Sequence, residues 1–249
     1  NLQKGNKIFN KYYQNSYLKS LFGIIFGKKI YKLIQSGEIN LLVMTNFHKK
    51  FLIELGVNSE IINLFSNPIN YKTTNEYNQN SNYLVYAGRV SQDKGVEELI
   101  KAWINADMSN LSLKIIGHGP ILNELKQKYS IPNIKFLGLL SHKETLDLIK
   151  NSRGVVTATK MYEGQPRLLC EASINGIPSL FPDFGGMGEF FPKNYTFKFK
   201  QFNYESLSEK LKLFESSLDL KQESVKIQSF TEQLLGKEKL RESLDKIFT

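Results

Sequence analysis

From residue 83 onward, short apolar runs alternate with amphipathic stretches, and this alternation constrains the fold more than any other feature. The apolar runs have the length and composition of buried strands. They cover Tyr83–Ala87, Ser112–Ile116, Ile134–Leu137, Gly154–Thr159, Pro178–Pro182 and Thr196–Phe199. The helical stretches lie near residues 94–106, 119–129, 142–151, 166–176 and 204–216. This pattern predicts an α/β fold with a parallel sheet and helices on both faces, whose ligands gather at the carboxyl ends of the strands.

The first 82 residues follow a different pattern. Residues 1–37 combine lysines with apolar residues three and four apart, which predicts an amphipathic helix that lies at a membrane surface or packs on a protein core. Strands near Ile39–Met44 and residues 61–65 flank a helix near residues 46–55. The polar run 71–82 predicts a linker. We therefore expect a small unit at 1–70, a main domain at 83–224 and a final helix at 225–249.

The positive net charge of the chain limits the classes of partner that it is expected to bind. The formal net charge is +9, and seven lysines precede the first acidic residue, Glu38. This excess suits nucleic acid, an anionic membrane or a phosphate-bearing small molecule, and a solvated lysine-rich face is the plain alternative. Nothing in the sequence resembles a nucleic-acid-binding module, so we expect no nucleic-acid partner.

The single cysteine, Cys170, excludes a disulfide framework and suggests a reducing compartment. No apolar run approaches the roughly 20 residues that span a bilayer. The start is polar and lacks a methionine, so we expect no signal peptide. We expect a cytoplasmic protein, with peripheral contact at the inner face of the membrane through the basic N-terminal segment as a further hypothesis. The missing methionine suggests a fragment or a processed product.

The first candidate binding loop follows the strand that begins at Tyr83 and reads GRVSQDKG over residues 88–95. Gly88 allows a close backbone turn, and Arg89 and Lys94 place two cations on one loop. An arginine can bind two phosphate oxygens at once, and a lysine supplies a compact charge, so the loop suits a diphosphate. The alternative is two solvated surface cations.

A second loop, GHGP over residues 117–120, follows the next strand. Gly117 and Gly119 allow close backbone approach, and Pro120 suits a helix start. A dinucleotide fingerprint would need a third glycine at Leu122, so a dehydrogenase is disfavoured. Taken alone, this loop fits an ordinary strand–helix turn as well as a site.

The strongest motif is EGQPRLLCE over residues 163–171. Pro166 favours a helix start, which leaves the backbone N–H groups of Arg167 and Leu168 as unpaired donors at the positive end of the helix. Such an end binds anions. Glu163 and Glu171 bracket it, and carboxylates accept hydrogen bonds from hydroxyls, which suits a sugar at one end and a ribose at the other.

In this order, the motifs resemble the family-four retaining glycosyltransferases of the GT-B fold, also called group 1. The resemblance rests on SNPIN at 66–70, the two loops above, Leu137-Gly138 before a helix, the E-x₇-E element and GGMGE at 185–189. It covers residues 38 to the end. It implies a Rossmann-like C-terminal half of a GT-B fold, preceded by a small remnant of the acceptor-side N-terminal domain.

The resemblance also implies roles for single residues. Arg89 and Lys94 would hold a diphosphate, and backbone at Arg167 and Leu168 would support its distal phosphate. Glu163, our catalytic candidate, would meet the sugar hydroxyls. The remaining donor-binding candidates are Gly88, Gly117 and Gly119 lining the site, Leu139 and Leu140 near the base, Gly164 and Gln165 near the sugar, and Glu171 at the ribose.

Three departures from the family pattern stand out. His118 occupies a position that is usually acidic, and Gln165-Pro166 replaces a common aromatic–glycine pair, so sugar selectivity can differ. The glycine-rich loop and the histidine of the family's N-terminal domain are missing from this sequence. The chain alone is therefore expected to bind donor and to transfer sugar poorly or not at all.

The sequence thus predicts transfer of a sugar from a nucleotide diphosphate sugar to a glycan or lipid-linked acceptor, with retention and without metal or other cofactor. A UDP-sugar and a role in surface polysaccharide synthesis are the specific expectations. The alternatives are a nucleotide-sugar epimerase or a glucan synthase of the same fold, and a nucleotide-binding module without catalysis. His48, His142 and Cys170 are expected to be structural.

Overall fold

The computed structural model describes residues 16–69 and 76–248, and residues 1–15, 70–75 and 249 lie outside the described part. The chain divides into two compact units. One combines Asn1–Val43 with His48–Leu64, and the other combines Met44–Phe47 with Phe65–Thr249. Residues 1–15 of the predicted N-terminal helix and residues 71–75 of the predicted linker fall outside the described residues.

The smaller unit contains helix α1 (Tyr17–Gln35), strands β1 (Leu41–Val43) and β2 (Ile62–Leu64), and most of helix α2 (Asn46–Glu54). The side chain of Ser16 caps α1 by accepting a hydrogen bond from the Lys19 backbone. The two strands pair in parallel, and the packed residues of this unit are Ile34, Leu41, Val43, Leu52, Val57, Ile61 and Ile62. The strand predicted at 61–65 is shorter because a 3₁₀ turn, Ser59–Ile61, precedes it.

The larger unit is built on a six-stranded sheet. Its strands are β3 (Tyr83–Ala87), β4 (Ser112–Ile116), β5 (Ile134–Gly138), β6 (Gly154–Val156), β7 (Ser179–Pro182) and β8 (Lys198–Phe199). They follow the order β5-β4-β3-β6-β7-β8, and every pair is parallel. The predicted α/β fold is confirmed.

The strand order reverses at the centre of this sheet. From β3 the chain moves outward through β4 and β5, and then returns to place β6 on the other side of β3. In such sheets the two loops that leave the central strands diverge and open a crevice at the carboxyl edge. The fold therefore predicts that the loops after β3 and β6 flank a binding site.

In the described part of the larger unit, seven α-helices accompany the sheet. They are α3 (Val96–Asn105), α4 (Leu122–Lys128), α5 (His142–Lys150), α6 (Arg167–Ile174), α7 (Tyr204–Ser216), α8 (Leu220–Leu235) and α9 (Lys237–Phe248). The prediction of a single final helix from Val225 is wrong. Two helices occupy the region, because Gly236 takes an extended conformation (ψ 147°) and separates them.

The central strands are buried on both faces. Leu84, Val85 and Tyr86 are consecutive buried residues of β3, and all four residues of β7 are buried. Strands covered by helices on both sides show such continuous apolar runs instead of an alternating pattern. The strand predicted at Gly154–Thr159 ends at Val156, which leaves Thr157 and Thr159 in the loop at the carboxyl edge.

The described end of the predicted linker packs against the larger unit. Tyr77 is buried, and its hydroxyl donates to the backbone oxygen of Arg153 at 2.6 Å. The hydroxyl of Ser81 donates to the Asn151 oxygen at 2.7 Å. Residues 76–82 therefore form part of this unit, in which they cover the loop before β6.

Candidate functional site

A cleft of about 160 Å³ opens at the carboxyl edge of the larger unit's sheet. It is lined by Tyr86, Ala87, Gly88, Lys94, Thr157, Thr159, Glu163, Pro166, Arg167, Leu168, Leu169 and Met187. These residues come from the end of β3, from the loops that follow β3, β6 and β7, and from the start of α6. The cleft thus lies where the strand order reverses, as the topology requires of a ligand site.

Helix α6 begins at the cleft. Pro166 is its N-cap, one position earlier than the first helical residue, and its carbonyl accepts the first helical bond from Cys170 at 3.0 Å. No side chain caps the helix, and the N–H groups of Arg167 and Leu168 have no acceptor among the described residues. The start of α6 therefore offers two free donors and the positive end of a helix dipole.

An ion pair joins the two loops across the cleft. The Lys94 ammonium lies 2.5 Å from Glu163 Oε1, and both side chains are about three-quarters buried, with 25% and 28% exposed. The Thr159 hydroxyl donates to the same oxygen at 3.2 Å. One cation and one carboxylate of the predicted site therefore stand together next to the free N–H groups of α6.

Two contacts fix these loops against each other. The backbone N–H of Lys160 donates to the backbone oxygen of Asp93 at 2.9 Å. Gly95 has a φ of +64°, and a Cβ added to it would lie 2.0 Å from the backbone oxygen of Ala158. Only a glycine fits this position without displacing the backbone. The contact therefore determines where Lys94 stands relative to Glu163.

The glycines of the second loop have a structural role. A Cβ at Gly117 would lie 1.9 Å from the Gly88 oxygen, and one at Gly119 would lie 2.1 Å from the Val90 oxygen. Neither glycine lines the cleft. The close backbone approach predicted for them is present, but it is made to the loop after β3. They support the wall of the site.

Tyr86 supports that wall from inside the fold. Its hydroxyl donates to the Arg89 oxygen at 2.9 Å. Burial, and then the negative charges of Asp93 and Glu163, hold the pKa of Tyr86 well above its usual value, so the phenol stays protonated. The hydroxyl is therefore a lasting donor that holds the turn at Gly88.

The side chain of Arg89 lies outside the cleft. It is 59% exposed and pairs with Asp93 at 2.6 Å on the same loop. The sequence predicted two cations for a diphosphate, and the structure brings one of them, Lys94, to the cleft lining. Arg89 and Asp93 are four residues apart and form a local ion pair, which the diphosphate prediction for this loop did not consider.

Two further predicted donor contacts face other partners. The Gln165 amide binds the backbone of Asn67 twice, accepting at 2.7 Å and donating at 3.0 Å. The Glu171 carboxylate is buried and accepts from Arg167 Nε at 2.9 Å, with His142 Nε2 3.7 Å away. Neither Gln165 nor Glu171 lines the cleft. Contact of Glu171 with a ribose stays a prediction.

The remaining predicted residues lie around the cleft without lining it. Leu139 is 80% exposed beyond the end of β5, and Leu140 packs against the core. Gly164 is half-buried beside Glu163. The predicted residues that do line the cleft are Gly88, Lys94, Glu163, Arg167 and Leu168.

The structure adds residues to which the sequence assigned no role. Thr157, Thr159 and Met187 line the cleft. The two threonines directly follow β6, and this position at the carboxyl edge could have marked them as site residues. The predicted strand extended to Thr159 and therefore placed both threonines inside the sheet. The Arg167 side chain, 76% exposed and oriented by Glu171, adds a cation at the rim. The four-residue spacing of that pair on a helix could have predicted it.

The loop at 185–189 lines the cleft with Met187 and also binds another segment of the larger unit through Glu189. The Glu189 carboxylate accepts from the backbone N–H groups of Asn46 and Phe47 at 2.7 and 2.8 Å, and from the Asn46 side chain at 2.9 Å. A carboxylate is a favourable cap at the start of a helix. Glu189 therefore holds the segment Met44–Phe47 to the loop that carries Met187.

No group of three or more His, Cys, Asp or Glu among the described residues could hold a metal ion. The expectation that the reaction needs no metal stays a prediction. Within the described part of the chain, no helix has the length and apolarity that crossing a membrane requires.

Comparison with known proteins gives matches of three kinds. A family model described as glycosyl transferases group 1 matches residues 69–227. The amylovoran biosynthesis glycosyltransferase AmsD of Erwinia amylovora is 27% identical over 100 residues, which are 40% of this chain and 28% of AmsD. The structure of S. aureus TarM matches with a TM-score of 0.75 at 17% identity, over 89% of this chain and 46% of TarM.

The structure of Anabaena Alr3699/HepE matches with a TM-score of 0.72 at 16% identity, over 84% of this chain and 63% of the other. At these identities the two structural matches show the shared fold. The chain spans less than a third of the curated relatives that it matches.

The glycine contact that joins the two loops can be tested with a matched pair. Gly95 and Gly138 have similar φ values, +64° and +73°, but a Cβ at Gly138 would meet nothing within 4 Å. Gly138→Ala should cost only the left-handed conformation, about 1–2 kcal/mol. Gly95→Ala adds the collision with Ala158 and should cost about 3 kcal/mol or more of unfolding free energy. Urea unfolding measures both, and equal losses would contradict the contact.

Proposed function

The chain belongs to the group 1 glycosyltransferases, and from this membership we propose that it binds a nucleotide diphosphate sugar for transfer to a glycan or lipid-linked acceptor. We propose further that transfer proceeds with retention of configuration and without a metal. Retention is supported by the likeness of the E-x₇-E element, residues 163–171, to that of retaining enzymes.

The observation that carries the proposal is the set of groups around one cleft. The free N–H groups of Arg167 and Leu168, the Lys94 ammonium and the Glu163 carboxylate all line it. The two N–H groups and the ammonium attract an anion, and the carboxylate accepts hydrogen bonds from hydroxyls. A diphosphate joined to a sugar carries both chemistries in adjacent parts.

The Lys94–Glu163 pair suggests how the ligand is received. Without ligand, each group neutralises the other at 2.5 Å. A diphosphate that binds at the start of α6 competes for Lys94, because it carries more negative charge than a carboxylate. Glu163 then becomes available to the sugar hydroxyls. One exchange of partners thus prepares both ends of the site.

The same groups support our proposal of a metal-free reaction. When the bond between the sugar and the diphosphate breaks, the bonding electrons leave with the distal phosphate. Positioned donors stabilise charge where it develops, and the amides of α6 and Lys94 are such donors. Glu163 faces the sugar, where positive charge develops. An acceptor hydroxyl completes the transfer by attack on the sugar carbon, and its proton passes to the phosphate oxygen that has left that carbon. The nucleotide diphosphate is the leaving group.

Names and ligands of the matched proteins guide the choice of donor. TarM and Alr3699/HepE were each solved with UDP, so a UDP-sugar is the first donor to test. AmsD is named for the biosynthesis of amylovoran, which supports a glycan acceptor. We place the reaction in cell-envelope polysaccharide synthesis on the cytoplasmic side. Because the chain spans 46% of TarM, binding is the appropriate measurement for this chain alone.

Calorimetric titration with UDP and UDP-glucose tests the assigned roles. Lys94→Ala should weaken both ligands by about 10-fold to 100-fold, because it removes a charge-assisted hydrogen bond worth about 1.5–3 kcal/mol. Glu163→Ala should weaken UDP-glucose by about 10-fold. It should leave UDP unchanged or tighter, since Lys94 loses its competing partner.

Glu124→Ala, an exposed acid on α4, is the control and should change neither affinity. Equal losses of both ligands in Glu163→Ala would show that its assigned role is wrong. A chain that binds UDP but gains nothing from any attached sugar would favour the non-catalytic nucleotide-binding module.

We also propose a peripheral membrane contact through α1. Leu18, Phe22 and Phe26 are each about 65% exposed and lie four residues apart on one face of this helix. Lys28 and Lys29 provide charges that an anionic surface attracts. An apolar stripe with basic flanks is the pattern of a helix that lies in a membrane interface.

Vesicle sedimentation at low salt tests this contact. The chain should bind vesicles that contain an anionic lipid and should bind neutral vesicles at least 5-fold less. Phe22→Ser combined with Phe26→Ser should abolish binding, because it removes the inserted rings while keeping every charge. Equal sedimentation with both kinds of vesicle would remove the proposal.

A further inference from the structure

Four aromatic rings form a continuous array beside the cleft in the larger unit. Tyr162 stacks between Phe47 and Phe184, with ring centroids 5.0 and 4.3 Å apart. Phe202 continues the array, 6.0 Å from Phe184 and tilted by 60°. We call these four residues the aromatic platform.

Two rings of the platform are exposed to solvent. Tyr162 is 61% exposed and Phe202 is 60% exposed, so both leave apolar area in water. Because the Tyr162 ring is stacked between two neighbouring rings, its exposed area lies at the ring edge. Phe202 is tilted against Phe184 and not stacked on it, and more than half of its surface is exposed. Exposed apolar patches of this kind mark binding surfaces more often than isolated apolar side chains do.

Phe202 also has a strained backbone. Its φ is +60°, in the left-handed region that glycine and asparagine tolerate and bulky residues avoid. A glycine or asparagine there would suit the turn better. Strain held at an exposed aromatic residue points to a use for the ring, because the fold gains little from it.

Hydrogen bonds join the platform to the donor cleft. The Gln201 side chain, next to Phe202, donates to the Thr159 backbone oxygen at 3.1 Å. The hydroxyl of Thr159 in turn bonds Glu163, which directly follows Tyr162. The exposed Asp183 precedes Phe184, and Lys198 lies 3.4 Å from its carboxylate. The platform therefore begins at the acid of the cleft and is flanked by charged groups.

We infer that the aromatic platform is a subsite for a pyranose ring of the glycan acceptor, next to the donor cleft. This inference rests on the proposed function. A pyranose presents C–H groups on its faces, which the negative face of an aromatic ring attracts, and hydroxyl groups at its edge. Phe202 supplies the ring face, and the Tyr162 hydroxyl and Asp183 supply hydrogen-bond partners for the sugar hydroxyls.

Two other occupants are chemically reasonable, and the continuity with Glu163 argues against both. A nucleobase also stacks on aromatic rings, but the platform adjoins the sugar end of the proposed donor site. A protein partner also uses aromatic residues. Binding of a protein partner would not require the hydrogen bonds that link the platform through Gln201 and Thr159 to Glu163.

Saturation-transfer NMR on the full chain, saturated with UDP, tests the subsite. The probes are the methyl glycosides of glucose, galactose and N-acetylglucosamine. At least one should receive saturation, mainly at the C–H protons of one ring face. Phe202→Asn should reduce this signal at least 5-fold, and Phe202→Tyr should retain it. Leu218→Asn removes another side chain that is 92% exposed and should change nothing.

Stability and nucleotide affinity complete the test. Phe202→Asn should keep the melting temperature or raise it, because asparagine tolerates the left-handed backbone. It should leave the UDP affinity within 2-fold. A glycoside signal that survives Phe202→Asn, or that falls only with the melting temperature, would overturn the subsite.

The alternatives give distinct results, each of which overturns the inference. An equal loss of UDP affinity would assign the ring to the base, and a change in oligomeric state would assign it to a protein interface. UDP binding without any glycoside signal would remove the subsite while leaving the proposed function intact. If the chain failed to bind UDP at all, the proposed function itself would fail.

Discussion

The site depends on the close approach of two backbone loops where the strand order of the sheet reverses. The loop after β3 and the loop after β6 touch at Gly95 and Ala158, and a hydrogen bond from Lys160 to Asp93 joins them. This approach brings Lys94 within 2.5 Å of Glu163. The start of α6 faces the same space. The uncapped end of α6 and the Glu163 carboxylate therefore share one cleft, because the backbone leaves no room for a side chain at Gly95.

The sequence predicted those features that depend on local chemistry. The apolar runs gave the six strands of the sheet, because strands buried on both faces need continuous apolar sequence. Pro166 gave the start of α6 to within one residue, because proline suits the first positions of a helix. Lys94 and Glu163 reached the same cleft because both follow strands at the carboxyl edge, where a parallel sheet gathers its loops.

Side-chain directions that depend on distant partners could not be predicted. Gln165 bonds the backbone of Asn67, 98 residues earlier, and no local pattern marks that pairing. Arg89 pairs with Asp93, while Glu171 takes Arg167 and stands near His142. The aromatic platform could not be predicted either, because its four rings come from four separate segments that only the fold brings together. Spacing along the chain predicts which edge of the sheet a residue reaches, and packing decides what it touches there.

The central claim is that the uncapped start of α6, together with Lys94, binds the diphosphate. The most direct measurement follows the backbone amide resonances of a ¹⁵N-labelled chain as UDP is added. Arg167 and Leu168 should show the largest displacements, because their N–H groups gain charged acceptors. Glu144, whose N–H is already occupied by the Ser141 side chain at the start of α5, should stay nearly unchanged. Displacements that avoid Arg167 and Leu168 while appearing elsewhere would contradict the account.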